Sequence, residues 1–366
     1  MSDLRLVHVV GTGLLGTSIG MALRSLDVDV TLADPSPSAV SLARDLGAGR
    51  VARDTEQQEP DLVVVAAPPD VAAEVVATAL ITHPTSVVTD VASVKSAVLR
   101  RLRHLEADLT RYVGGHPMAG RERSGAVAGR ADLFAGRPWV LTPTAETSPD
   151  AVAQVRSLAE RLGSTVTLMD AREHDEAVAV VSHVPQVAAS LVAARLREVS
   201  EQAAALCGQG IRDVTRIAAG DPALWTQILA GNAGAVARTL HAVRDDLDAV
   251  IAAVDALDSA ADGDAPGARA AVAGLVAAGN DGHARIPGKH GAPPTAYASV
   301  PVIVPDRPGA LARLLHDVGA AGVNLEDLRL EHSEGRPMAV AEIDVLPAAV
   351  PALVAALQER GWSVHD

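Results

Sequence analysis

Residues 4–34 read LRLVHVVGTGLLGTSIGMALRSLDVDVTLAD, and their pattern decides the fold of the region around them. The apolar run at 4–10 has the length of a buried strand, the stretch after the glycines has helical periodicity, and VDVTLAD is typical of a second strand. A strand, a turn, a helix and a strand in this order form a βαβ unit. The stretch therefore predicts a Rossmann-like α/β domain with a parallel sheet.

The glycines of GTGLLG predict a dinucleotide site at the turn of this unit. They permit a tight turn and a close approach of a pyrophosphate, which the following helix N-terminus attracts. Asp34 stands 18 residues after Gly16, at the end of the second strand, where a carboxylate accepts hydrogen bonds from both ribose hydroxyls and repels a 2′-phosphate. We therefore expect NAD. The alternatives are a glycine turn without a ligand and an aspartate that only forms the turn before Pro35. The expected cofactor ligands are Asp34 and the residues of the turn, Gly11, Thr12, Gly13, Leu14, Leu15 and Gly16.

Lysine is unusually rare in the chain, which has Lys95 and Lys289 against 29 arginines. If arginine replaces lysine wherever it suffices, these two positions are places where a compact amine matters. Lys95 opens the helix that follows the strand at 86–93, so we include it among the expected cofactor ligands. The role of Lys289 stays open.

The rest of the chain divides into regions with different predicted secondary structure. Strands at 61–69, 86–93, 112–116 and 138–143 alternate with helices and extend the sheet, and a helix at 149–163 and a strand at 164–170 follow. From residue 171 to about 257 nearly everything has helical periodicity, with more apolar surface than one subunit buries. We predict a nucleotide domain at 1–147, a mainly helical dimerisation domain at 148–285, a linker at 286–297 and a small βαββαβ domain at 298–366.

Composition and charge limit the possible partners. The net charge of −14 argues against nucleic acid or an anionic membrane as the main partner, since both need a basic face. The sequence lacks an uninterrupted apolar run of about 20 residues, and a strand-like segment stands where a signal peptide would, so we expect a cytoplasmic protein. The single cysteine allows no internal disulfide, and no cysteine and histidine spacing predicts a metal site.

Two polar side chains follow strands of the predicted sheet and are candidates for catalysis. His116 lies in YVGGHPMAG, and ligands of such sheets bind beyond the carboxyl ends of the strands. A neutral imidazole there can take a proton from a substrate hydroxyl while hydride leaves the same carbon. Ser93 follows a neighbouring strand, and its hydroxyl could fix the imidazole tautomer. A structural loop histidine and a helix N-cap serine are the alternatives.

The helical region carries a second group of candidate polar residues. His183 interrupts a long apolar helix two residues before Pro185, which we expect to kink that helix. Arg212 and Arg216 are four residues apart on one helical face, with Asp213 between them, and paired guanidinium groups suit a dicarboxylate. The alternatives are a buried core histidine and a solvated charged face.

These motifs, in this order, resemble the prephenate/arogenate dehydrogenase family of tyrosine biosynthesis over about residues 4–260. The C-terminal segment, with DRPGALARLL and GVNLEDL, resembles an ACT regulatory domain. The motifs that carry the first resemblance are GTGLLG at 11–16, DVASVK at 90–95, GGHPMAGRERSG at 114–125, SHVPQ at 182–186 and GIRDVTRIAAGDPALW at 210–225.

The resemblance implies an NAD-linked oxidative decarboxylation of a small-molecule substrate by a homodimer. His116 would accept the proton of the ring hydroxyl with Ser93 as its partner, Arg216 would hold a carboxylate, and His183 would contact the substrate. Loss of the ring carboxylate as carbon dioxide makes the ring aromatic and drives the reaction.

Two departures from the family pattern bear on which substrate is accepted. This chain has Arg121 where family members often have threonine, and Arg212 where they often have lysine. An extra arginine suits the dicarboxylate prephenate, whereas Glu122 could meet the ammonium of arogenate or gate an inhibitor through an ion pair. Prephenate is the favoured substrate, with arogenate as the alternative.

Other functions are compatible with parts of the sequence. A different NAD(P) reductase, for example of 3-hydroxyacids or imines, fits the SHVPQ and IRDVTR segments poorly. A non-catalytic sensor of NAD and an amino acid would not need Ser93, His116 and Arg216 together. In the C-terminal region, Gly309 and Asn324 are where a tyrosine effector would contact the chain. An oligomerisation module without a ligand is the alternative for that region.

Overall fold

A computed structural model describes residues 4–52, 58–120, 125–260, 265–287, 297–332 and 337–364. The chain divides into two compact units, Met1–Leu247 and Asp248–Asp366.

The strands are β1 Leu6–Val10, β2 Asp29–Ala33, β3 Arg50–Val51, β4 Leu62–Val65, β5 Val87–Asp90, β6 Tyr112–Pro117, β7 Pro138–Thr142, β8 Thr165–Leu168, β9 Ala298–Pro305, β10 Asp327–His332, β11 Met338–Val345 and β12 Ser363–Val364. The helices are α1 Leu14–Arg24, α2 Pro37–Asp45, α3 Ala72–Thr82, α4 Ser96–His104, α5 Pro149–Arg161, α6 Ala171–Val178, α7 Val184–Arg195, α8 Glu201–Ala204, α9 Gln209–Thr215, α10 Pro222–Gly231, α11 Ala233–Ser259, α12 Ala268–His283, α13 Ala310–Ala320 and α14 Val350–Glu359.

The first unit is built on an eight-stranded sheet in the order β3-β2-β1-β4-β5-β6-β7-β8. This is the order of a doubly wound nucleotide-binding domain, and it confirms the predicted Rossmann-like fold. Apolar side chains from both faces of the sheet form two buried clusters, because strands covered on both sides are apolar throughout.

The prediction of a wholly parallel sheet is wrong at one pair of strands. β6 and β7 run antiparallel, with Gly114 opposite Thr142 and Pro117 opposite Trp139. A parallel connection needs a crossover element, usually a full helix. In the described part of the connection between β6 and β7 the helical structure is a single short turn, Ala126–Ala128, and the chain reverses instead of crossing over.

The sheet continues past residue 147, where we predicted the first domain to end. β8 pairs with β7 in parallel, and α5 contributes Val155 and Leu158 to the same buried cluster as Trp139 and Phe134. The domain boundaries themselves stay a prediction.

Beyond β8 the first unit is helical. α6, a π-helical turn at Ala179–His183 and α7 form one continuous segment, and Pro185 stands in the first turn of α7. The predicted disturbance at Pro185 therefore takes the form of a π-helix. The segment Ala171–Glu198 is long and apolar enough to cross a membrane by length and composition alone. It also carries buried polar side chains that bond within the unit, as helices of folded domains do.

The C-terminal part of the second unit has the predicted βαββαβ order. β9, β10, β11 and β12 form an antiparallel sheet in the order β10-β11-β9-β12. α13 and α14 pack their apolar residues, including Leu314 and Leu353, against Val302 and Ile343 of the sheet. The prediction of a small α+β domain at this end of the chain is confirmed.

Candidate active site

The glycine turn, residues 11–16, joins β1 to α1 with very close backbone packing. Gly11 has a φ of +101°, and a Cβ there would lie 2.4 Å from the Ala66 carbonyl oxygen. A Cβ on Gly16 would lie 1.9 Å from the Gly11 carbonyl oxygen, whereas one on Gly13 would meet nothing within 4 Å. No side-chain hydrogen bond caps the N-terminus of α1 at Gly13, so side chains leave its first amide groups available. The turn therefore fits a pyrophosphate group.

Asp34 is held rigidly beside the glycine turn. Its carboxylate accepts hydrogen bonds from the Thr12 backbone N–H at 2.7 Å, the Thr12 hydroxyl at 2.9 Å and the Ser36 backbone N–H at 2.9 Å. The side chain stays partly exposed at the end of β2. A carboxylate offers about four lone-pair sites, so this arrangement leaves acceptor capacity for a ribose.

Lys95 is buried under β6, at 1% exposure, and does not face a cofactor groove. Its ammonium pairs with Asp90 and donates a hydrogen bond to the Gly115 carbonyl at 2.6 Å. The other carboxylate oxygen of Asp90 accepts from the Tyr112 hydroxyl at 2.6 Å. Burial lowers the pKa of Lys95, and the charge of Asp90 opposes that shift. These partners take up the ammonium and give Lys95 a place in the core, and its role as a cofactor ligand stays a prediction.

His116 lies on β6 at 8% exposure and is the first member of a buried chain of hydrogen bonds. Its Nδ1 lies 2.8 Å from Nε2 of His174, whose Nδ1 lies 2.9 Å from Oδ1 of Asp175. Asp175 also accepts the backbone N–H groups of Lys95 and Ser96, both at 2.9 Å. Strand β6, helix α6 and the start of α4 are thereby tied together at one point.

Ser93 is not the partner of His116 at Nδ1, because His174 occupies that atom. Ser93 lies half-buried between β5 and α4. It does not cap α4 either, since Asp175 receives the amide groups at that helix N-terminus. His174 and Asp175 are residues that the sequence analysis missed, whereas the role of Ser93 beside His116 stays a prediction.

His183 ends the π-helical turn and is 1% exposed. Its Nδ1 lies 3.1 Å from the side-chain nitrogen of Asn232, which also donates to the Asp175 carbonyl at 2.7 Å. The ring of Trp225 stands edge-on to His183 at 6.2 Å between centroids. We call His116, His174 and His183, with Asp175 and Asn232, the histidine cluster.

Burial keeps the two outer histidines of the cluster neutral. It lowers the pKa of His116 well below its usual value, and the neighbouring side chains of His174, Lys95 and His183 lower it further. Burial lowers the pKa of His183 to about 4. Burial opposes ionisation of Asp175 too, but hydrogen bonds from His174, Lys95 and Ser96 outweigh it and lower the pKa of that carboxyl.

Arg212, Asp213 and Arg216 lie on the exposed side of the α9 segment. Asp213 accepts a hydrogen bond from the Gln209 side chain at 2.8 Å. α9 ends at Thr215 and Arg216 begins a short 3₁₀ turn, which packs against α7 just after His183. The predicted substrate residues Arg121 and Glu122, and also Lys289, lie outside the described residues.

The two residues predicted for an effector lie in the second unit. Gly309 has a φ of +84° and forms the N-cap of α13. Asn324 follows that helix and donates to the Glu326 carboxylate at 2.7 Å. Among the residues that the structure describes, no group of three or more His, Cys, Asp or Glu side chains is arranged to hold a metal ion.

Comparison with known proteins accounts for most of the chain. The family model described as prephenate dehydrogenase, nucleotide-binding domain, matches residues 19–168, and the prephenate dehydrogenase dimerization domain matches residues 170–264. The chain belongs to the prephenate dehydrogenase family. The match to the nucleotide-binding domain includes the whole of β8, in agreement with the extent of the sheet.

Individual relatives support this membership. The probable prephenate dehydrogenase NovF of Streptomyces niveus is 39% identical over 99% of this chain and 100% of its own length. Prephenate dehydrogenase from A. aeolicus, solved with hydroxyphenyl propionate and NAD+, is 27% identical with a TM-score of 0.65, covering 77% of this chain and 96% of that one. Synechocystis arogenate dehydrogenase is 28% identical with a TM-score of 0.61, covering 76% and 99%.

Proposed function

We propose that the chain is an NAD-dependent prephenate dehydrogenase, which converts prephenate to 4-hydroxyphenylpyruvate by oxidative decarboxylation. The observation that carries the proposal is a buried, neutral imidazole, His116, near the end of a strand in the sheet that also carries the glycine turn. Family membership and the A. aeolicus enzyme solved with NAD+ support the same conclusion.

Each residue of the candidate site has its own role in the proposed reaction. The amide groups at the start of α1 bind the pyrophosphate and Asp34 binds the ribose of the cofactor. NAD held by these residues would supply the hydride acceptor for the ring carbon that carries the substrate hydroxyl. His116 takes the proton of that hydroxyl, and general-base assistance of this kind accelerates a reaction by about 10²–10⁴. His183, as a second neutral imidazole, hydrogen-bonds an oxygen of the substrate. Ser93 borders the same space from the loop after β5.

Arg216 binds a carboxylate of the substrate, and Arg212 strengthens the positive charge at its tail. Asp213 keeps the α9 segment ordered through Gln209. The two arginines favour prephenate, because its side chain has a keto group where that of arogenate has a positively charged ammonium. Arg121 and Glu122 adjust this choice. Arogenate is the second candidate substrate, supported by the likeness to Synechocystis arogenate dehydrogenase.

The decisive experiment measures NADH formation with prephenate and with arogenate, each with NAD and with NADP. We expect the highest kcat/KM for prephenate with NAD, and no activity with either substrate would contradict the proposal. His116→Asn should lower kcat by about two orders of magnitude or more, because the general base is lost. NAD affinity should stay unchanged in that variant, and a near-wild-type rate would remove His116 from the role of base.

The enzyme is further proposed to be a cytoplasmic homodimer formed through its helical region. Several apolar side chains in the range matched by the dimerization model are more than half exposed in the single chain, which supports burial by a second copy. They are Val180, Val181, Leu191, Leu206 and Val214.

Tyrosine is the proposed effector of the C-terminal domain, where Gly309 and Asn324 would contact it. The left-handed backbone of Gly309 at the start of α13 supports a close approach of a ligand there. Deletion of residues 298–366 should abolish tyrosine inhibition and leave turnover in place. Unchanged inhibition would assign the effector to another site.

A further inference from the structure

Asp175 connects both substrate-facing histidines of the cluster, through two different parts of the residue. Its carboxylate bonds to Nδ1 of His174, which in turn bonds to His116. Its backbone carbonyl accepts from Asn232, which bonds to His183. Capping of α4 explains the carboxylate contacts to Lys95 and Ser96, but it does not explain these two connections.

The first connection determines where the proton of His116 resides. An ionised carboxylate only accepts hydrogen bonds, so Nδ1 of His174 carries a proton. We take His174 as a neutral ring, so its Nε2, which lies 2.8 Å from Nδ1 of His116, is an acceptor. Nδ1 of His116 must therefore be the donor, and its Nε2 is left with a free lone pair.

The second connection gives His183 the opposite tautomer. A backbone carbonyl only accepts, so the group of Asn232 that lies 2.7 Å from the Asp175 carbonyl is its NH₂ group. The same NH₂ lies 3.1 Å from Nδ1 of His183, which must accept. Because the ring is neutral, its proton resides on Nε2.

We propose that Asp175 is the positioning residue of the site and sets opposite tautomers in His116 and His183, so that one ring is a proton acceptor and the other a hydrogen-bond donor. His174 relays this choice to His116, and Asn232 relays it to His183. The substrate roles of the two rings rest on the proposed function, whereas the tautomers do not. The arrangement prevents the two rings from exchanging roles, because either exchange leaves two donors or two acceptors facing each other in a buried place.

The test measures the tautomers directly in the full-length protein labelled with ¹⁵N-histidine. Long-range ¹H–¹⁵N NMR spectra distinguish protonated from unprotonated ring nitrogens, and the spectra of His116→Asn and His183→Asn assign the two rings. We expect protonated Nδ1 and bare Nε2 in His116, and the reverse in His183. The same tautomer in both rings, or a doubly protonated His174, would overturn the proposal.

Variants of His174 and Asn232 test the consequence for turnover and leave the contacts of Asp175 with the start of α4 in place. His174→Phe removes the acceptor for His116 and should lower kcat about 100-fold, the scale of losing a general base. His174→Gln should recover most of that loss, since a glutamine carbonyl accepts the same proton. Equal losses in the two variants, or a His116 proton that stays on Nδ1 in His174→Phe, would contradict the proposal.

Asn232→Leu tests the second relay and places no new acceptor beside the Asp175 carbonyl. Loss of the N–H donor no longer confines the His183 proton to Nε2, which should raise KM for the substrate more than it lowers kcat. An unchanged tautomer and KM would contradict the relay through Asn232. If the wild-type chain turned over neither substrate while both tautomers were as expected, the proposed function would fail and the tautomer assignment would be supported.

Discussion

The glycine turn and the histidine cluster are two halves of one candidate site, yet they are built in opposite ways. The turn and Asp34 lie within 24 residues of one another, and their geometry follows from one βαβ unit. The cluster joins His116 to His174 and His183 to Asn232, across 58 and 49 residues. The comparison teaches that a binding surface can be local in sequence, whereas the groups that hold a catalytic imidazole come from several distant elements.

Substitution of Lys95 should give a large loss in the free energy of unfolding, because it disturbs the buried side of the site. Lys95→Met leaves the Asp90 carboxylate without its buried cation, and breaking such a pair costs about 3–5 kcal/mol. The measurement is the free energy of unfolding in denaturant. The matched control is Arg101→Met, which breaks an ion pair with Glu74 that is about half exposed, and it should cost less than about 1 kcal/mol. Equal effects in the two variants would show that Lys95 is not an essential part of the core.

The histidine cluster and the glycine turn should respond differently when the pH falls. The pKa of His116 is lowered, so kcat/KM should persist below pH 6.5 and fall only when pH passes the lowered value, by about tenfold per pH unit. His174, Lys95 and His183 contribute to that lowering. NAD affinity, measured by fluorescence over the same range, should change little. An acidic limb centred at or above pH 6.5 would contradict a buried, neutral base.

The geometry of the local half of the site follows from the sequence, because a turn and its neighbouring strand are set by adjacent residues. Gly11 and Gly16 form the close turn that their spacing indicates and Asp34 lies beside it, while their contacts with a cofactor stay a prediction. The Rossmann-like fold followed as well, except that β7 reverses in a sheet predicted to be parallel. That reversal depends on a loop with little helix, for which the alternation of strands and helices gives no signal.

The distant half was predicted only in part. His116 and His183 stood out, but His174 was overlooked although it lies in EHD at the start of the same helix as His183. Nine residues of a regular α-helix make about 2.5 turns, which places the two side chains on opposite faces. The π-helical turn at Ala179–His183 changes that rotation, and both histidines are buried. Helical periodicity therefore could not reveal that they share a cluster.

Lys95 shows why residue type alone did not assign a role. Its rarity correctly marked a position where an amine matters, but the amine serves the core beneath β6. A flexible four-carbon side chain at the start of α4 can point toward the core or away from it, and the positions of Asp90 and Gly115 decide which.

Asp34→Asn should give the smallest effect and one confined to the cofactor. An amide keeps an acceptor for the Thr12 backbone N–H but loses the charge that repels a 2′-phosphate. We expect the ratio of kcat/KM for NADP to that for NAD to rise about tenfold, which corresponds to about 1.4 kcal/mol. Asp29→Asn is the control, since that residue pairs with Arg50 on the exposed side of the same strand and should leave the ratio unchanged.

The pH dependence of kcat/KM in Asp34→Asn should be the same as in the wild type, because the histidine cluster has no contact with Asp34 that the substitution removes. A changed acidic limb in Asp34→Asn would instead mean that the two halves of the site are coupled.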